Sequence, residues 1–242
     1  MNVFYTPPGL VSGKTLWIEQ PDFHHLAHVL RMGVGTEIEV TDGVGGYYLA
    51  TVESVEGERA RCRILESRPG FHELAVYVAL AFPLMKQPSK FDLVVEKATE
   101  LGVREIIPLV TARTIPRSGK IERWKQIALS ATKQCRRAYC PVITTVHQWQ
   151  DLLNRFSDYS HRLVLHERQR ESVPGSDPFS EAFIEGSSVL VIVGPEGGFT
   201  ETEIVEVEEA GCTPVWLGPR RLRSETAALH AMSLTSFYSM GA

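Results

Sequence analysis

The stretch Ser188-Val189-Leu190-Val191-Ile192-Val193-Gly194-Pro195-Glu196-Gly197-Gly198-Phe199-Thr200 decides the fold. Its first six residues are apolar after the serine and show no alternation, as a strand buried on both faces requires. Glycines then break the run. Thr200 with Glu203 three residues on makes a capping box, which predicts a helix that ends at Gly211. A further strand is expected at Pro214 to Leu217. Strand, glycine-rich turn, helix and strand together form the repeating unit of a mostly parallel α/β sheet covered on both faces.

Working outward, residues 71–242 keep this pattern. Strands are expected at Ala75 to Phe82, Ile106 to Val110, Val142 to Val146 and Leu163 to Leu165. Ser89 is the expected N-cap of a helix in which Phe91, Val94, Val95, Ala98 and Leu101 recur at helical spacing before Gly102. A basic helix is expected from Ile121 to Cys135, and a last helix from Ser224 is apolar around much of its circumference, which suits a core or a subunit interface. The segment Arg168 to Ser180, with Pro174, Gly175 and Pro178, reads as a mobile connection. Residues 1–70 read instead as strands and turns. Glu37 to Val40 and Tyr47 to Val52 flank Asp42-Gly43-Val44-Gly45-Gly46, a hairpin signal, and Arg59 to Leu65 alternates charged and apolar residues. The expectation is a small β-barrel, with the domain boundary at Ser67-Arg68-Pro69-Gly70.

Composition excludes several classes. With 242 residues, 43% hydrophobic and 22% charged, the chain is neither disordered nor a coiled-coil rod. Its apolar runs are far shorter than the roughly 18 residues of a membrane helix. The N-terminus has neither a basic start nor a long apolar stretch, which predicts a cytoplasmic protein. Cys62, Cys135, Cys140 and Cys212 form no C-x-x-C pair, so reduced thiols and no zinc site are expected. A net charge of -4 argues against binding nucleic acid over the whole surface. Locally the picture differs, because Arg113 to Arg137 holds eight basic residues and the single acid Glu122, a net +7. Such a window is either a solvated helix face or a phosphate-binding surface.

Ligands of parallel α/β sheets bind at the carboxyl ends of strands. Three loops lie there: His166-Glu167, Gly194 to Phe199, and Gly218-Pro219-Arg220-Arg221-Leu222-Arg223 leading into Ser224-Glu225-Thr226-Ala227. The glycine loop is neither G-x-G-x-x-G nor a P-loop. Alone it reads equally well as a tight connection. Paired with a second Gly-Pro loop carrying three arginines, it predicts a small-molecule pocket with a cationic mouth. His24, His25 and His28 read as ordinary histidines of a short helix rather than metal ligands, and no G-x-S-x-G elbow supports a serine hydrolase.

Together, Gly194-Pro195-Glu196-Gly197-Gly198-Phe199 and Leu217-Gly218-Pro219-Arg220-Arg221-Leu222-Arg223-Ser224-Glu225-Thr226-Ala227 resemble the bacterial ribosomal RNA small-subunit methyltransferase E family, uracil-N3 methyltransferases of 16S rRNA in the SPOUT superfamily. Lys97-Ala98-Thr99-Glu100-Leu101-Gly102-Val103, and His24-His25-Leu26 with Val29-Leu30-Arg31, carry the resemblance across nearly the whole chain. It implies an α/β fold with a C-terminal SPOUT-type parallel sheet and deep trefoil knot in residues 71–242, plus an N-terminal PUA-like β-barrel in residues 1–70. It implies S-adenosylmethionine as cofactor and a homodimer. The implied substrate is one uridine of 16S rRNA, within the assembled 30S subunit. Carried over by position, Leu165, Gly194, Glu196, Gly198, Leu217, Gly218, Leu222 and Arg223 line the cofactor pocket, and Arg31, Arg113 and Arg137 contact RNA; Arg136, in the basic window, is a further RNA-binding candidate. Arg223 is the catalytic candidate, as stabiliser of a uracil anion; Glu196 and Glu225 are alternative general bases or merely capping or cofactor-binding groups. Two stretches depart from the family pattern: Val3 stands where an arginine is usual, and Lys133-Gln134-Cys135-Arg136-Arg137 replaces Glu-Gln-Ser-Gly-Arg. A ribose 2'-hydroxyl methyltransferase and a non-catalytic RNA-binding or assembly factor remain open as alternatives.

Overall fold

The computed structural model describes residues 2–166 and 178–239, and the chain divides into two compact units. The first comprises Met1–Glu73 and Leu129–Cys140, the second Leu74–Ala128 and Pro141–Ala242. The division therefore falls after Glu73 rather than at Gly70. It also assigns to the first unit a segment that the sequence pattern places with the second.

The first unit is built on strands β1 (Val3–Tyr5), β2 (Val11–Ser12), β3 (Thr15–Ile18), β4 (Glu37–Thr41), β5 (Tyr47–Glu56) and β6 (Arg59–Ser67), with a short helix α1 (Asp22–His24). They form one six-stranded sheet in the order β1-β4-β5-β6-β3-β2. The hairpin between β4 and β5 forms as its turn residues require: Asp42 Oδ1 accepts from the amides of Val44 and Gly46 at 2.9 and 2.8 Å. The sheet curls because Thr6, just after β1, reaches β4 and β3 together. Its amide donates to Thr41 O at 3.0 Å and its hydroxyl to Trp17 O at 2.6 Å. Phe4, Leu16, Ile18, Ile38, Val40, Ala50 and Val52 fill the interior, the larger of them contributing about 1.5–3 kcal/mol each relative to exposure. In the histidine stretch, α1 widens into a π turn over His25–Val29; Phe23 and Leu26 are buried, while His24 and His28 stay exposed.

The second unit contains β7 (Tyr77–Pro83), α2 (Pro88–Glu100), β8 (Glu105–Val110), α3 (Ile121–Cys135, whose residues from Leu129 on cluster with the first unit), β9 (Val142–Ile143), β10 (His147–Gln148), α4 (Trp149–Leu153), β11 (His161–Leu165), α5 (Pro178–Ala182), β12 (Ser188–Ile192), α6 (Glu201–Glu209), β13 (Thr213–Val215) and α7 (Ser224–Ser239). Its strands run in the order β10-β8-β7-β12-β11-β13, with β9 also on β8, and every pairing is parallel. All carboxyl ends consequently face one edge. Strands β8 and β12 are almost wholly buried, which is why they read as continuous apolar runs.

Several expectations shift by local chemistry. Helix α2 is capped at Gln87 with Pro88 in its first position, where the missing amide costs nothing, so Ser89 is not the cap. The strand expected over Val142 to Val146 stops at Ile143, and a separate pair, His147–Gln148, joins the far end of β8. Strand β13 ends at Val215, leaving Trp216 and Leu217 in the loop. Strand β11 lies between β12 and β13, so the two Gly-Pro loops are not immediate neighbours. Most of the segment expected to be mobile lies outside the described residues, as does Glu167. Among the described residues no helix is long and apolar enough to cross a membrane. None of the four cysteines is in a disulfide, and burial pushes the Cys62 and Cys212 thiols up to about 12.

Arg137 is a correction. Its side chain is 2% exposed and pairs with Glu73 through both Nε and Nη2, at 3.2 and 2.7 Å, while Glu73 Oε1 also accepts from the Tyr139 amide at 2.9 Å. A guanidinium enclosed in this way ties distant segments of the first unit together and is almost closed off from solvent, unlike the exposed phosphate contact expected from the sequence. Arg136 beside it is half-exposed, lies 3.6 Å from Glu39, and takes a left-handed φ of 61°. Replacing Arg137 by Ala leaves Glu73 buried without its cation and is expected to cost about 3–5 kcal/mol, whereas Arg136→Ala costs about 1 kcal/mol or less. Urea unfolding of the two variants checks the difference.

Candidate functional site

The carboxyl edge of the second unit's sheet holds a cavity of about 460 Å³. It is walled by the ends of β11 (Leu165, His166) and β12 (Val193 to Phe199), by the loop after β13 (Trp216 to Arg223), and by the first turn of α7. Leu165, Gly194, Glu196, Gly198, Leu217, Gly218, Leu222 and Arg223, singled out from the sequence as pocket residues, all line it. Of the proposed RNA contacts, Arg113 also lines this cavity, while Arg31 is exposed in the first unit with a φ of 53°.

The glycine loop is held from below and from the side. Gly198 N donates to Pro195 O at 2.8 Å, closing a tight turn. The Phe199 ring folds back over Gly194 so closely that a Cβ there would lie 3.0 Å from it, so any side chain at 194 would require the ring to shift by a few tenths of an ångström. The same ring packs on Trp149, with centroids 5.6 Å apart, anchoring the loop in the core. Thr200 and Glu203 form the capping box in both directions, at 2.8 and 3.1 Å, and the second carboxylate oxygen of Glu203 accepts from Ala112 N at 2.8 Å. Arg113, one residue further, donates through Nη1 to Gly197 O at 2.8 Å and Phe199 O at 3.1 Å. Its role in the structure is thus to fix the loop after β12 against the loop after β8. At the facing wall Gly218 takes a φ of 104°, which turns the chain from β13 toward α7 at a position where a side chain would be strained.

Lys90, on the first turn of α2, is a site residue that the sequence pattern missed. Its Nζ lies 3.2 Å from Glu225 Oε1 and 3.3 Å from Glu196 Oε1, joining the glycine loop to the start of α7. The Glu225 carboxylate, opposed by desolvation and assisted by Glu196, holds the Lys90 ammonium above the ordinary lysine range. Lys90 therefore remains a cation. The other oxygen of Glu225, Oε2, is buried and has no hydrogen-bond partner among the described residues. A buried acceptor of this kind is costly unless something donates to it. With the glycines that open the backbone and the arginines at the mouth, the cavity fits a ligand carrying N–H donors, a cationic centre and an anionic end, as S-adenosylmethionine does.

A curled mixed sheet on one unit and an all-parallel sheet with this three-loop cavity on the other define a two-domain RNA methyltransferase, and the comparisons agree. Residues 72–236 match the RNA methyltransferase domain family and residues 18–65 the RNA methyltransferase PUA domain family. The ribosomal RNA small subunit methyltransferase E of Bacillus subtilis is 32% identical over 240 residues, covering 96% of this chain and 93% of the relative. That of Rickettsia conorii is 31% identical over 211 residues, covering 87% and 84%. The crystal structure of the Neisseria gonorrhoeae protein of the same name, bound to S-adenosyl methionine, superposes with a TM-score of 0.83 at 30% identity over 98% of this chain and 97% of that one. A methyltransferase of Legionella pneumophila in complex with the same cofactor gives 0.78 at 28% identity over 97% and 96%. The chain belongs to the ribosomal RNA small subunit methyltransferase E family.

Arg113→Ala removes two charge-assisted hydrogen bonds to the glycine loop. The expected result is a rise of about tenfold in the dissociation constant for S-adenosylmethionine, or ~1.4 kcal/mol, with Arg113→Lys in between because a single ammonium replaces the fork. Calorimetry measures it.

Proposed function

We propose that this protein methylates N3 of one uridine in 16S rRNA, with S-adenosylmethionine as donor. The observation that carries the reading is the cavity at the carboxyl edge of the parallel sheet, lined by all eight positions carried over as cofactor residues. The cofactor, when bound, supplies a methyl group on a sulfonium centre. Leu165, Leu217 and Leu222 would give its base an apolar seat, and Gly194, Gly198 and Gly218 would let the backbone amides approach it. Lys90, Glu196 and Glu225 offer charges of both signs.

Uridine N3 is a weak acid and takes part in Watson-Crick pairing. The target must therefore be unpaired or flipped out of its stack, and it must lose its N3 proton before or during attack. Negative charge then spreads onto the flanking carbonyl oxygens. Arg223, exposed at the cavity wall beside the N-terminus of α7, is the group suited to stabilise it. Arg31, Arg113, Arg220 and Arg221 are exposed and Arg136 half-exposed, and these are the cations proposed to meet phosphates in addition to the contacts they make within the protein. A homodimer is part of the same proposal, supported by Phe237 of α7, an aromatic that is 67% exposed on the last helix. So are action on the assembled 30S subunit and a cytoplasmic location, which follow from the substrate.

The test is methyl transfer to 30S subunits from a strain lacking the enzyme, with nucleoside mass analysis of the product. N3-methyluridine supports the reading, and a 2'-O-methylated nucleotide or no transfer refutes it. Arg223→Ala is expected to lower turnover by about 100-fold, the scale of removing one donor to a developing oxyanion, while S-adenosylmethionine affinity changes far less. Charge reversal at Arg136 is expected to weaken rRNA binding and to flatten its salt dependence by about one unit of slope for each phosphate no longer neutralised, read from a filter-binding series at several salt concentrations.

A further inference from the structure

We propose that the first unit carries a stacking site for an unpaired nucleotide of the substrate RNA, with the His72 ring as the platform and Arg136 as the phosphate contact; the proposal rests on the rRNA reading above. Three rings run from the interior of this unit to its surface. Tyr47 is 1% exposed, Phe71 is half-buried and His72 is exposed. Phe71 packs on Tyr47 with centroids 4.7 Å apart, and His72 stacks on Phe71 at 3.8 Å with the ring planes 23° apart. The Arg68 guanidinium lies 5.4 Å from the Phe71 centroid, and the Arg68 amide donates to Tyr47 O at 2.7 Å. His72 is thus the outer member of a column anchored in the core. A ring fixed in this way loses less conformational entropy when a flat ligand settles on it than a loosely held one does.

Backbone strain singles out the same place. His72 has a φ of 58° and Arg136 a φ of 61°, in the left-handed region that glycine adopts without cost. Their segments are tied together: Ala138 N donates to Phe71 O at 3.1 Å, and Arg137 Nη2 lies 2.7 Å from Glu73 Oε2. In each segment one side chain turns inward, Glu73 and Arg137, and its neighbour stays toward solvent, His72 and Arg136. Burial, with Glu39, holds the Tyr47 hydroxyl above its ordinary range against a pull from Arg136 and Arg68, so both guanidinium groups act on the same column. Arg68 is paired with Glu66 at 2.6 Å, whereas Arg136 is 44% exposed over a Glu39 that is 9% exposed. Arg136 is therefore the cation open to a phosphate. Glycine would make both turns more easily; what the two residues supply instead is an aromatic face and a positive charge, and strain kept at such a pair points to function. A flat ring beside a cation is how proteins hold single-stranded nucleic acid. In a duplex the base faces are covered by their neighbours, so the occupant is a nucleotide out of its stack. Every base has such a face, so the site adds affinity and register rather than sequence choice. Arg68, Phe71, His72 and Arg136 all lie beyond residues 18–65, the part matched by the PUA domain family.

The experiment measures binding of the full chain to 30S subunits from a strain lacking the enzyme, by filter retention at several salt concentrations, with urea unfolding of each variant alongside. His72→Asn removes the ring and keeps a residue tolerated in the left-handed region, His72→Phe keeps a flat ring, and Arg136→Gly removes the cation and suits the turn. His72→Asn is expected to bind about tenfold more weakly at every salt concentration, the lower part of the range for one base on an aromatic side chain. Its salt slope is expected to match wild type, because stacking releases no counterion. His72→Phe is expected to stay within about threefold of wild type, and Arg136→Gly to flatten the slope by about one unit. Photocrosslinking from a His72→p-benzoylphenylalanine variant is expected to label 16S rRNA, and it decides the matter if the asparagine variant does not fold. Wild-type affinity in His72→Asn, a His72→Phe protein as weak as His72→Asn, a salt slope changed by His72→Asn, or a crosslink to a ribosomal protein or to a second copy of this chain overturns the site alone. A wild-type protein that neither binds the subunits nor methylates their RNA overturns the parent reading and this one together.

Discussion

The constraint on which the second unit depends is that all its strands are parallel and run through a buried layer. Parallel neighbours cannot be joined by tight hairpins, so the connections among β7, β8, β11, β12 and β13 must return across the sheet and these strands end at the same edge. The buried runs Val78 to Phe82 and Val189 to Ile192 leave no choice about which residues lie inside. The positions just beyond them, beginning at Leu84 and Val193, therefore have to become the loops at the carboxyl edge. The loops beyond the strand ends carry Gly194, Gly197, Gly198 and Gly218 around the cavity, and ligands of parallel sheets bind at that edge. The Glu203 carboxylate shows how firmly that edge is set: it caps its own helix and also accepts from Ala112, 91 positions earlier in the chain.

Charge follows the same logic of local closure. The window Arg113 to Arg137 carries +7 as a sequence, and most of that charge is answered by specific carboxylates. Arg123 pairs with Asp92 at 2.9 Å, Lys133 with Asp22 at 2.8 Å, Arg136 with Glu39 at 3.6 Å and Arg137 with Glu73 at 2.7 Å. These four acids lie outside the window and leave a net +3. The basic run is therefore chiefly a set of internal ties, and the phosphate-facing charge is smaller and more selective than its composition suggests. That suits a protein whose total charge is -4 and which must reject most of the RNA it meets.

What was legible in the sequence was what neighbouring residues determine. The capping box of Thr200 and Glu203, the Asp42 to Gly46 turn, the alternation in β6 and the bounds of α3 depend on residues a few positions apart, and each stands in the structure where it was expected. The pocket loops were legible because strand ends are legible. What was not readable depends on partners far along the chain. Lys90 meets Glu196 and Glu225 more than 100 positions away, and nothing beside it in sequence marks it. Arg137 looks like its exposed neighbour Arg136 until Glu73, 64 positions earlier, is seen to enclose it. The insertion of β11 between β12 and β13 is likewise a matter of pairing between distant strands, to which periodicity is blind.

The same distinction explains why the two arginines that differ most are adjacent. At the end of α3 the chain must leave the helix, and Arg136 takes the left-handed conformation that usually falls to glycine at this position. An arginine there costs about 1 kcal/mol of backbone strain, and the turn aims successive side chains in different directions. Arg137 enters the interior and is neutralised by Glu73, whereas Arg136 stays at the surface opposite Glu39. A glycine at 136 would make the same turn at less cost. Holding an arginine in its place keeps a half-exposed cation at a fixed point on the first unit, and a fixed cation loses less conformational entropy on meeting a phosphate than one on a mobile loop. Strain in the backbone and placement of charge are, at this residue, one feature.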